Sequence, residues 1–302
     1  MKLKLLITLI TLISLQVQAQ DYVDIVKISS KLTQMGNVDN SDLTNIYNQN
    51  IQLYYPKRMS ETFVLLAGFT FENTTLSPTN GGANDNLFMA RLNLGVKHQH
   101  TEKWGGTYLI LPKIASNFGK VSLKDFQIGG LALIDYQIAE RWKFKFGVYV
   151  STENYGITIT PLLGLWHRSK NGKFYINATL PTRADINYNF VKGFSMGIDL
   201  LTSAKAYDLS QNIGEFYVQE ESIRTALYAS YAFLDKALIF RAKAGLDLGD
   251  YSPFNTGDKI GAQLLTFPLA GDSRNRLNPE FNTALFIGLD IIYRFDLTKE
   301  DK

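Results

Sequence analysis

The sequence predicts an all-β protein that folds as a membrane-spanning, up-and-down antiparallel β-barrel of about 14 strands. Three observations support this prediction: apolar and polar residues alternate in many segments, these segments are long, and the connections between them are short at one end and mostly long at the other. A period of two is typical of β-strands. A tilted strand crosses a bilayer with about 9–11 residues, and the longest segments reach that length.

The clearest alternation lies in residues 125–152. Every even position from 126 to 138 is apolar or glycine, and after a polar turn at 139–141 every even position from 142 to 150 is apolar. Both segments exceed the roughly 5–6 residues that are usual for strands of soluble sheets. They predict an antiparallel hairpin of two spanning strands.

The same pattern recurs before and after this hairpin. It is least regular in the first segment, where the apolar residues change phase between Ile25 and Val26. Pro112 and Pro161 interrupt two segments and predict β-bulges there. Besides the hairpin, the alternation predicts strands within residues 22–32, 51–55, 63–71, 88–96, 104–118, 157–165, 174–180, 184–190, 194–200, 223–233, 238–248 and 285–295.

The connections differ in length in a regular way. If the chain starts in the periplasm, the short turns near 58–61, 100–103, 139–141, 169–172, 191–193 and 234–236 all lie at one end. The connections near 35–46, 74–86, 117–124, 208–220 and 249–282 then lie at the other end and are mostly long. Bacterial outer-membrane barrels have this asymmetry.

Two other folds are compatible with the alternation. A 12-stranded barrel stays open if the segments near Tyr22 and Thr182 are not strands. A soluble two-sheet sandwich or lipocalin-like barrel would place the apolar face inside, and alternation does not distinguish inside from outside. Strand length, strand number and the turn asymmetry favour the membrane barrel.

Residues 1–19 have the features of a secretory signal peptide. Lys2 and Lys4 precede an apolar run at 5–15, and Ala19 ends a short cleavage motif. The run is shorter than the about 20 residues of a spanning helix. We therefore predict that cleavage leaves one barrel domain, residues 20–302, in the bacterial outer membrane.

Composition excludes several classes of function. The chain has no cysteine, so disulfides, thiolate metal sites and a lipid anchor on an N-terminal cysteine are excluded. The net charge of +3 provides no basic field for nucleic acid. The 16 tyrosines and 19 phenylalanines supply the aromatic girdles expected of a membrane barrel.

Two stretches carry a resemblance to a known family. LPKIASNF at 111–118 and TPLLGLWHRSKNGKFYINATLPTRADINYNF at 160–190 resemble an uncharacterised family of outer-membrane β-barrels, a domain of unknown function common in Bacteroidota. The resemblance implies fold and location, and it implies no substrate and no catalytic residue. The end of the last strand, with Tyr293 and Phe295, resembles the aromatic signal that barrel-assembly machinery recognises. We expect that machinery as a partner during biogenesis and outer-membrane lipids afterwards.

Charged residues share the polar face of the predicted strands. A charge that faces lipid near the bilayer midplane costs about 2–4 kcal/mol, so we expect these side chains to face the lumen. They predict either an aqueous pore whose charges set selectivity or an interior closed by ion pairs. The predicted lumen-lining residues are Arg91, Lys97, Asp135, Lys143, Lys145, Asp199, Arg241, Lys243, Asp247, Asp290 and Arg294.

The segment 249–282 and the three histidines are further candidates. The segment contains several prolines and an apolar run, and it predicts either a constriction folded into the lumen or an external loop. His98 and His100 share a strand face, but a metal site needs more ligands. No catalytic motif accompanies His167. We expect no metal, no cofactor and no enzymatic activity.

The sequence therefore points to an outer-membrane barrel with passive, porin-like passage of small solutes. The alternative is a non-conducting envelope scaffold that presents its extracellular loops to an adhesion or secretion partner. A transporter of hydrophobic ligands is a third interpretation.

Overall fold

A computed structural model describes residues 22–39, 42–80, 82–119, 122–211 and 214–296. The predicted signal peptide, residues 1–19, lies outside the described residues. Two short 3-10 turns occur, Leu123–Asp125 and Leu234–Lys236. In this part of the chain no helix has the length and apolar character needed to cross a membrane.

The described residues form sixteen strands. The strands are β1 (Tyr22–Gly36), β2 (Leu43–Arg58), β3 (Phe63–Pro78), β4 (Asp85–Gln99), β5 (Trp104–Ser116), β6 (Phe126–Ala139), β7 (Trp142–Glu153), β8 (Gly156–Arg168), β9 (Phe174–Leu180), β10 (Arg183–Val191), β11 (Phe194–Gln211), β12 (Gly214–Phe233), β13 (Leu238–Asn255), β14 (Gly261–Leu264), β15 (Phe267–Pro268) and β16 (Ala284–Asp296).

Fourteen of these strands, β1 to β13 and β16, form a closed antiparallel barrel. Each strand pairs with its neighbour in chain order, β13 pairs with β16, and β16 pairs with β1. The β8–β9 pairing completes the ring. The prediction of an all-β, up-and-down barrel of about 14 strands is confirmed, and the 12-stranded and sandwich alternatives are wrong.

The apolar face of the strands points outwards. Along β16, Leu285 and Leu289 are 75% and 64% exposed, whereas Phe286, Asp290 and Ile292 between and beyond them are buried. The same alternation of exposed apolar residues recurs around the barrel. Monomeric soluble proteins rarely expose apolar surface on this scale. The outer surface is therefore suited to hydrocarbon, and the polar face encloses the interior.

The strand registers explain one irregularity of the sequence and correct two predictions. A bulge between Asp24 and Val26 shifts β1 against β16, which accounts for the change of phase at this point. The predicted bulges at Pro112 and Pro161 do not form, because β5 pairs with β6 and β7 with β8 in continuous register through them. A strand residue directs its N–H to only one neighbour, so a proline can leave the other edge intact.

Several predicted connections are strand. We call the end of the barrel with turns such as 140–141 and 192–193 the turn end, and the opposite end the loop end. At the loop end β1 extends to Gly36, and β11 and β12 are separated by only residues 212–213. The prediction of a polar loop at 208–220 is therefore wrong.

The β9–β10 hairpin is too short to reach the loop end. β9 has 7 residues, and its pairing with β8 stops at Leu163 and Leu180. Beyond that level β14 pairs in parallel with residues 156–159 of β8. Gln263 of β14 is buried, and Leu264 beside it is 39% exposed. β14 and β15, which we call the wall segment, therefore replace the missing part of β9. This differs from both the constriction and the external loop expected for 249–282.

We predict that Leu289→Arg lowers the free energy of unfolding by about 2–4 kcal/mol, because the charge would enter hydrocarbon. Equilibrium denaturation in lipid vesicles measures this change. Leu123→Arg is the matched control, since Leu123 is 93% exposed in a connection at the loop end. Equal effects of the two substitutions would contradict a lipid-facing outer surface.

Candidate functional site

Parts of β11 and β12 near the loop end lie inside the barrel. Side chains at 205–209 of β11 and at 217–220 of β12 are all at most 8% exposed. In a barrel wall every second side chain faces outwards, so burial at consecutive positions means that protein lies on both faces. We call these two segments the inner hairpin.

The short β10 explains why the inner hairpin leaves the wall. β10 pairs with β11 only as far as Arg183 and Leu201. Beyond Leu201, β11 has β12 on one edge and no wall strand on the other. It bends across the lumen, where Asp208 forms a parallel bridge with Ser116 of β5. The backbone groups that β10 cannot satisfy thus find partners inside the barrel.

Polar contacts join the inner hairpin to the opposite wall. The backbone N–H of Ala206 donates to Glu153 Oε2 at 2.9 Å, and Gln127 Nε2 donates to the Ala206 carbonyl at 2.9 Å. Lys205 pairs with Glu72 of β3. Asn154 Nδ2 donates to Asp208 Oδ1 at 3.3 Å. The hairpin therefore closes the lumen by contacts to β3, β6 and β7, which lie far from β11 around the ring.

A chain of alternating charges crosses the lumen at this level. Its three cations and three carboxylates balance, so the chain is formally neutral. It runs through Lys31 Nζ to Asp247 Oδ2 at 2.9 Å, Asp247 Oδ2 to Arg224 Nε at 2.8 Å, Arg224 Nη2 to Glu220 Oε1 at 3.1 Å, Glu220 Oε2 to Lys205 Nζ at 3.3 Å, and Lys205 to Glu72. We call it the charge chain. Removal of one member would leave the buried chain with an uncompensated charge.

Only Asp247 of the charge chain was among the predicted lumen-lining residues. Lys205 and Glu220 were missed because the first lies between predicted elements and the second at the end of the predicted loop 208–220. Glu220 and Arg224 are four apart on one strand and therefore share a face. The even-numbered residues of β12 face inwards, and following them back along the strand to residue 220 would have identified both Arg224 and Glu220.

An apolar cluster packs against one face of the inner hairpin. The Tyr207 hydroxyl at its margin donates to Glu72 Oε1 at 3.3 Å and to Glu220 Oε2 at 3.1 Å. The cluster and the charge chain both lie in the loop-end half of the lumen. The cluster contains Met35, Ile46, Leu87, Met89, Ala115, Tyr207, Leu209, Val218, Tyr251 and Ala284.

The other face of β12 contacts the segment between β13 and β16. Gln263 Nε2 of the wall segment donates to Glu221 Oε1 at 3.0 Å. Arg274 Nη1 donates to the Tyr217 hydroxyl at 2.8 Å. Arg274 also donates to Asp272, and these hydrogen bonds lower the pKa of the Asp272 carboxyl. The residues after β13 thus hold the inner hairpin from outside.

Several predicted residues pair on the inner face nearer the turn end. Lys243 Nζ lies 3.0 Å from Asp290 Oδ2 and also pairs with Asp199. Lys243 is on β13 and Asp199 is on β11, with β12 between them, so the contact is possible only on the concave face. Arg241 lies 3.8 Å from Asp185. Close to the turn end, Arg294 Nε donates to Asp24 Oδ1 at 2.6 Å.

The remaining predicted residues lie on β4, β6 and β7. Asp135 and Lys145 are directly opposite each other in the β6–β7 ladder. Lys145 Nζ donates to Asn177 Oδ1 at 2.6 Å. Lys143 Nζ lies 5.4 Å from the Trp166 ring centre, so Trp166 faces inwards.

Lys97 and Arg91 are the last two of the predicted lumen-lining residues. Lys97 lies on β4 opposite Thr107 of β5, and its positive charge acts on that of Lys143. Arg91 is partly buried, and its Nε has no hydrogen-bond partner.

The histidines form a local contact at the turn end. His98 Nδ1 and His100 Nδ1 are 3.0 Å apart, and His100 Nε2 lies 3.0 Å from the Tyr108 hydroxyl. Among the residues that the structure describes, no group of three or more His, Cys, Asp or Glu side chains could hold a metal ion. The expected absence of metal, cofactor and catalysis stays a prediction.

A family model described as "Domain of unknown function (DUF6268)" matches residues 71–255, more than half of the chain. The chain belongs to the DUF6268 family. The predicted membership of an uncharacterised family is thereby confirmed, while an origin in Bacteroidota stays a prediction. No curated protein matches this DUF6268 chain.

Solved structures similar to this DUF6268 barrel include a COG4313 outer membrane channel from Pseudomonas putida F1, with 9% identity, coverage of 91% of this chain and 95% of that chain, and a TM-score of 0.48. The Pseudomonas putida toluene transporter TodX matches with 9% identity, 92% and 90% coverage and a TM-score of 0.40. The translocator domain of autotransporter NalP from Neisseria meningitidis matches with 10% identity, 89% and 88% coverage and a TM-score of 0.36.

We predict that Glu72→Gln and Lys205→Met each lower the free energy of unfolding by about 3–5 kcal/mol, because each leaves the buried, formally neutral charge chain with one uncompensated charge. The double variant should cost much less than the sum of the two. Denaturant unfolding of all four proteins provides the double-mutant cycle. Additive losses would show that the pair does not couple the hairpin to the wall.

Proposed function

We propose that this DUF6268 protein is an outer-membrane barrel that passes small solutes when the inner hairpin leaves the lumen. The apolar outer face supports the membrane location, since a closed barrel is one of the two backbone architectures that satisfy their hydrogen bonds in lipid. The observation that carries the proposal is the polar contact of the inner hairpin with the opposite wall. Lys205, Ala206 and Asp208 make these contacts, and water can replace each of them.

The energetics favour a barrel that is closed most of the time. The opening movement would break the ion pair of Lys205 with Glu72, which water can resolvate. It would also expose Tyr207, Leu209 and Val218 of the apolar cluster, which costs roughly 25 cal/mol per Å² of apolar surface. We therefore expect rare openings rather than the steady conductance of an open porin.

The second candidate is a non-conducting scaffold that presents its loop end to an envelope partner. The apolar cluster favours this alternative, because an interior packed on this scale can be permanent. Both candidates share the same fold and membrane location. They differ in whether the inner hairpin ever moves.

A reversible crosslink distinguishes the candidates. Ser116 and Asp208 are bridge partners, so their Cα atoms lie within the roughly 4.4–6.8 Å that a disulfide spans. The chain has no cysteine of its own. We predict that Ser116→Cys/Asp208→Cys shows no openings in planar bilayers when oxidised and regains them when a reductant is added.

Ser116→Cys alone is the control and should conduct equally under both conditions. Openings of unchanged frequency in the crosslinked protein would contradict the gating role of the inner hairpin. A folded wild-type barrel that stays silent at all voltages would favour the scaffold.

A further inference from the structure

Four inward-facing cations lack the carboxylate partners that other inward-facing cations have. Three of them lie near the turn end, and Arg183 begins β10 farther from it. Lys97, Lys143, Lys145 and Arg183 make no ion pair with any described residue. On the other side of the same lumen, by contrast, cations such as Lys243 are paired with carboxylates. We call the four residues the basic cluster.

The members of the basic cluster act on one another electrostatically. Lys145 is repelled by Arg183, Lys97 and Lys143, and it is attracted by Asp135. The ladders place Lys145 and Arg183 at one level of the wall, through Gly164 and Thr179 between them. Asp135 attracts both Lys143 and Lys145. Like charges in a partly desolvated space repel more strongly than in bulk water. Their repulsion is a cost of folding that a bound anion would offset.

The surroundings of the basic cluster suit a small organic anion. Trp166 presents its ring beside Lys143, and Asn177 lies opposite Trp166 in the β8–β9 ladder. An apolar ring, an amide and several ammonium groups can contact the skeleton and the charged end of one molecule. Ammonium groups bind carboxylate and phosphate oxygens as point charges.

Water reaches the basic cluster. Lys97, Lys143 and Lys145 are partly exposed, and Arg183, at the end of β10 away from the turn end, is exposed. The inner hairpin closes the lumen beyond this level. In the usual barrel arrangement the short turns face the periplasm. A solute that enters from that side would meet the cluster before the closed half.

We propose that the basic cluster is a binding site for small anions that carry carboxylate or phosphate groups. The site selects anions for the passage described under Proposed function, and this selectivity rests on that function. Binding itself does not, because the cluster is open to water while the inner hairpin is closed. The two proposals can therefore fail separately.

Iodide quenching of Trp166 fluorescence tests the site without conduction. Trp104→Phe/Trp142→Phe leaves Trp166 as the single tryptophan, and the two replaced rings are on the exposed outer surface. In detergent micelles we expect iodide to quench Trp166 more strongly, relative to neutral acrylamide, than in a protein without the cluster. Inorganic phosphate at constant ionic strength should relieve the iodide quenching with a saturable midpoint.

Lys97→Gln/Lys143→Gln/Lys145→Gln in this background should lower the iodide-to-acrylamide ratio about threefold or more, because local potentials of several kT concentrate anions. Lys103→Gln/Lys170→Gln/Lys173→Gln removes the same charge from exposed turn positions and should leave the ratio nearly unchanged. Arg183→Gln alone should lower it by a smaller factor, and this single change keeps the test valid if the triple variant does not fold.

An unchanged ratio in the cluster variants, or an equal fall in the turn variant, would overturn the proposal. Linear rather than saturable relief by phosphate would also overturn it. The oxidised Ser116→Cys/Asp208→Cys protein should still bind phosphate. Phosphate binding by that closed form, together with a wild-type barrel that never conducts, would leave the site standing and remove the gating proposal.

Discussion

The backbone of a β-barrel in lipid has to satisfy every N–H and C=O group through its neighbours, because hydrocarbon offers no alternative partner. The β9–β10 hairpin stops at Leu180, so the loop-end parts of β8 and β11 each lose a neighbour. The chain solves the two cases differently. β14 takes the free edge of β8, and β11 bends inwards until Asp208 reaches Ser116. The closed lumen is a consequence of one short hairpin.

The two halves of the lumen differ in electrostatics for related reasons. Where the inner hairpin excludes water, each charge in the charge chain has a partner, since an unpaired charge there would cost several kcal/mol. Toward the turn end water screens the side chains, and the four residues of the basic cluster are tolerated without ion pairs. A neutral charge chain in the closed half, next to a basic cluster without ion pairs, is the arrangement from which both proposals arise.

Membership of the DUF6268 family assigns no biochemical role, and the proposed function therefore rests on the interior of the barrel. Porin-like passage required an open lumen, whereas the structure has a packed one. The gating proposal reconciles the two through the inner hairpin. The scaffold alternative keeps the same contacts and treats them as permanent.

Alternation predicted the strands wherever one face meets apolar surroundings and the other a polar interior. It identified all fourteen barrel strands, including the hairpin of β6 and β7. It also assigned Asp135, Lys145 and Lys243 to the polar, inward face. It failed at 205–209 and 217–220, because both faces of the inner hairpin contact protein and no apolar period remains. Arg183 was missed since it stands between Pro181 and the predicted strand.

Strand number, the outward apolar face and the charges of the polar face are local properties, and the order of residues specifies them through the period of two. The pairing of Lys205 with Glu72, the inward bend of β11 and the place of β14 in the wall join residues that are about 100 positions or more apart. No periodicity encodes such pairings. They follow from which edges remain unsatisfied after the ring has closed, and that depends on the length of every strand together.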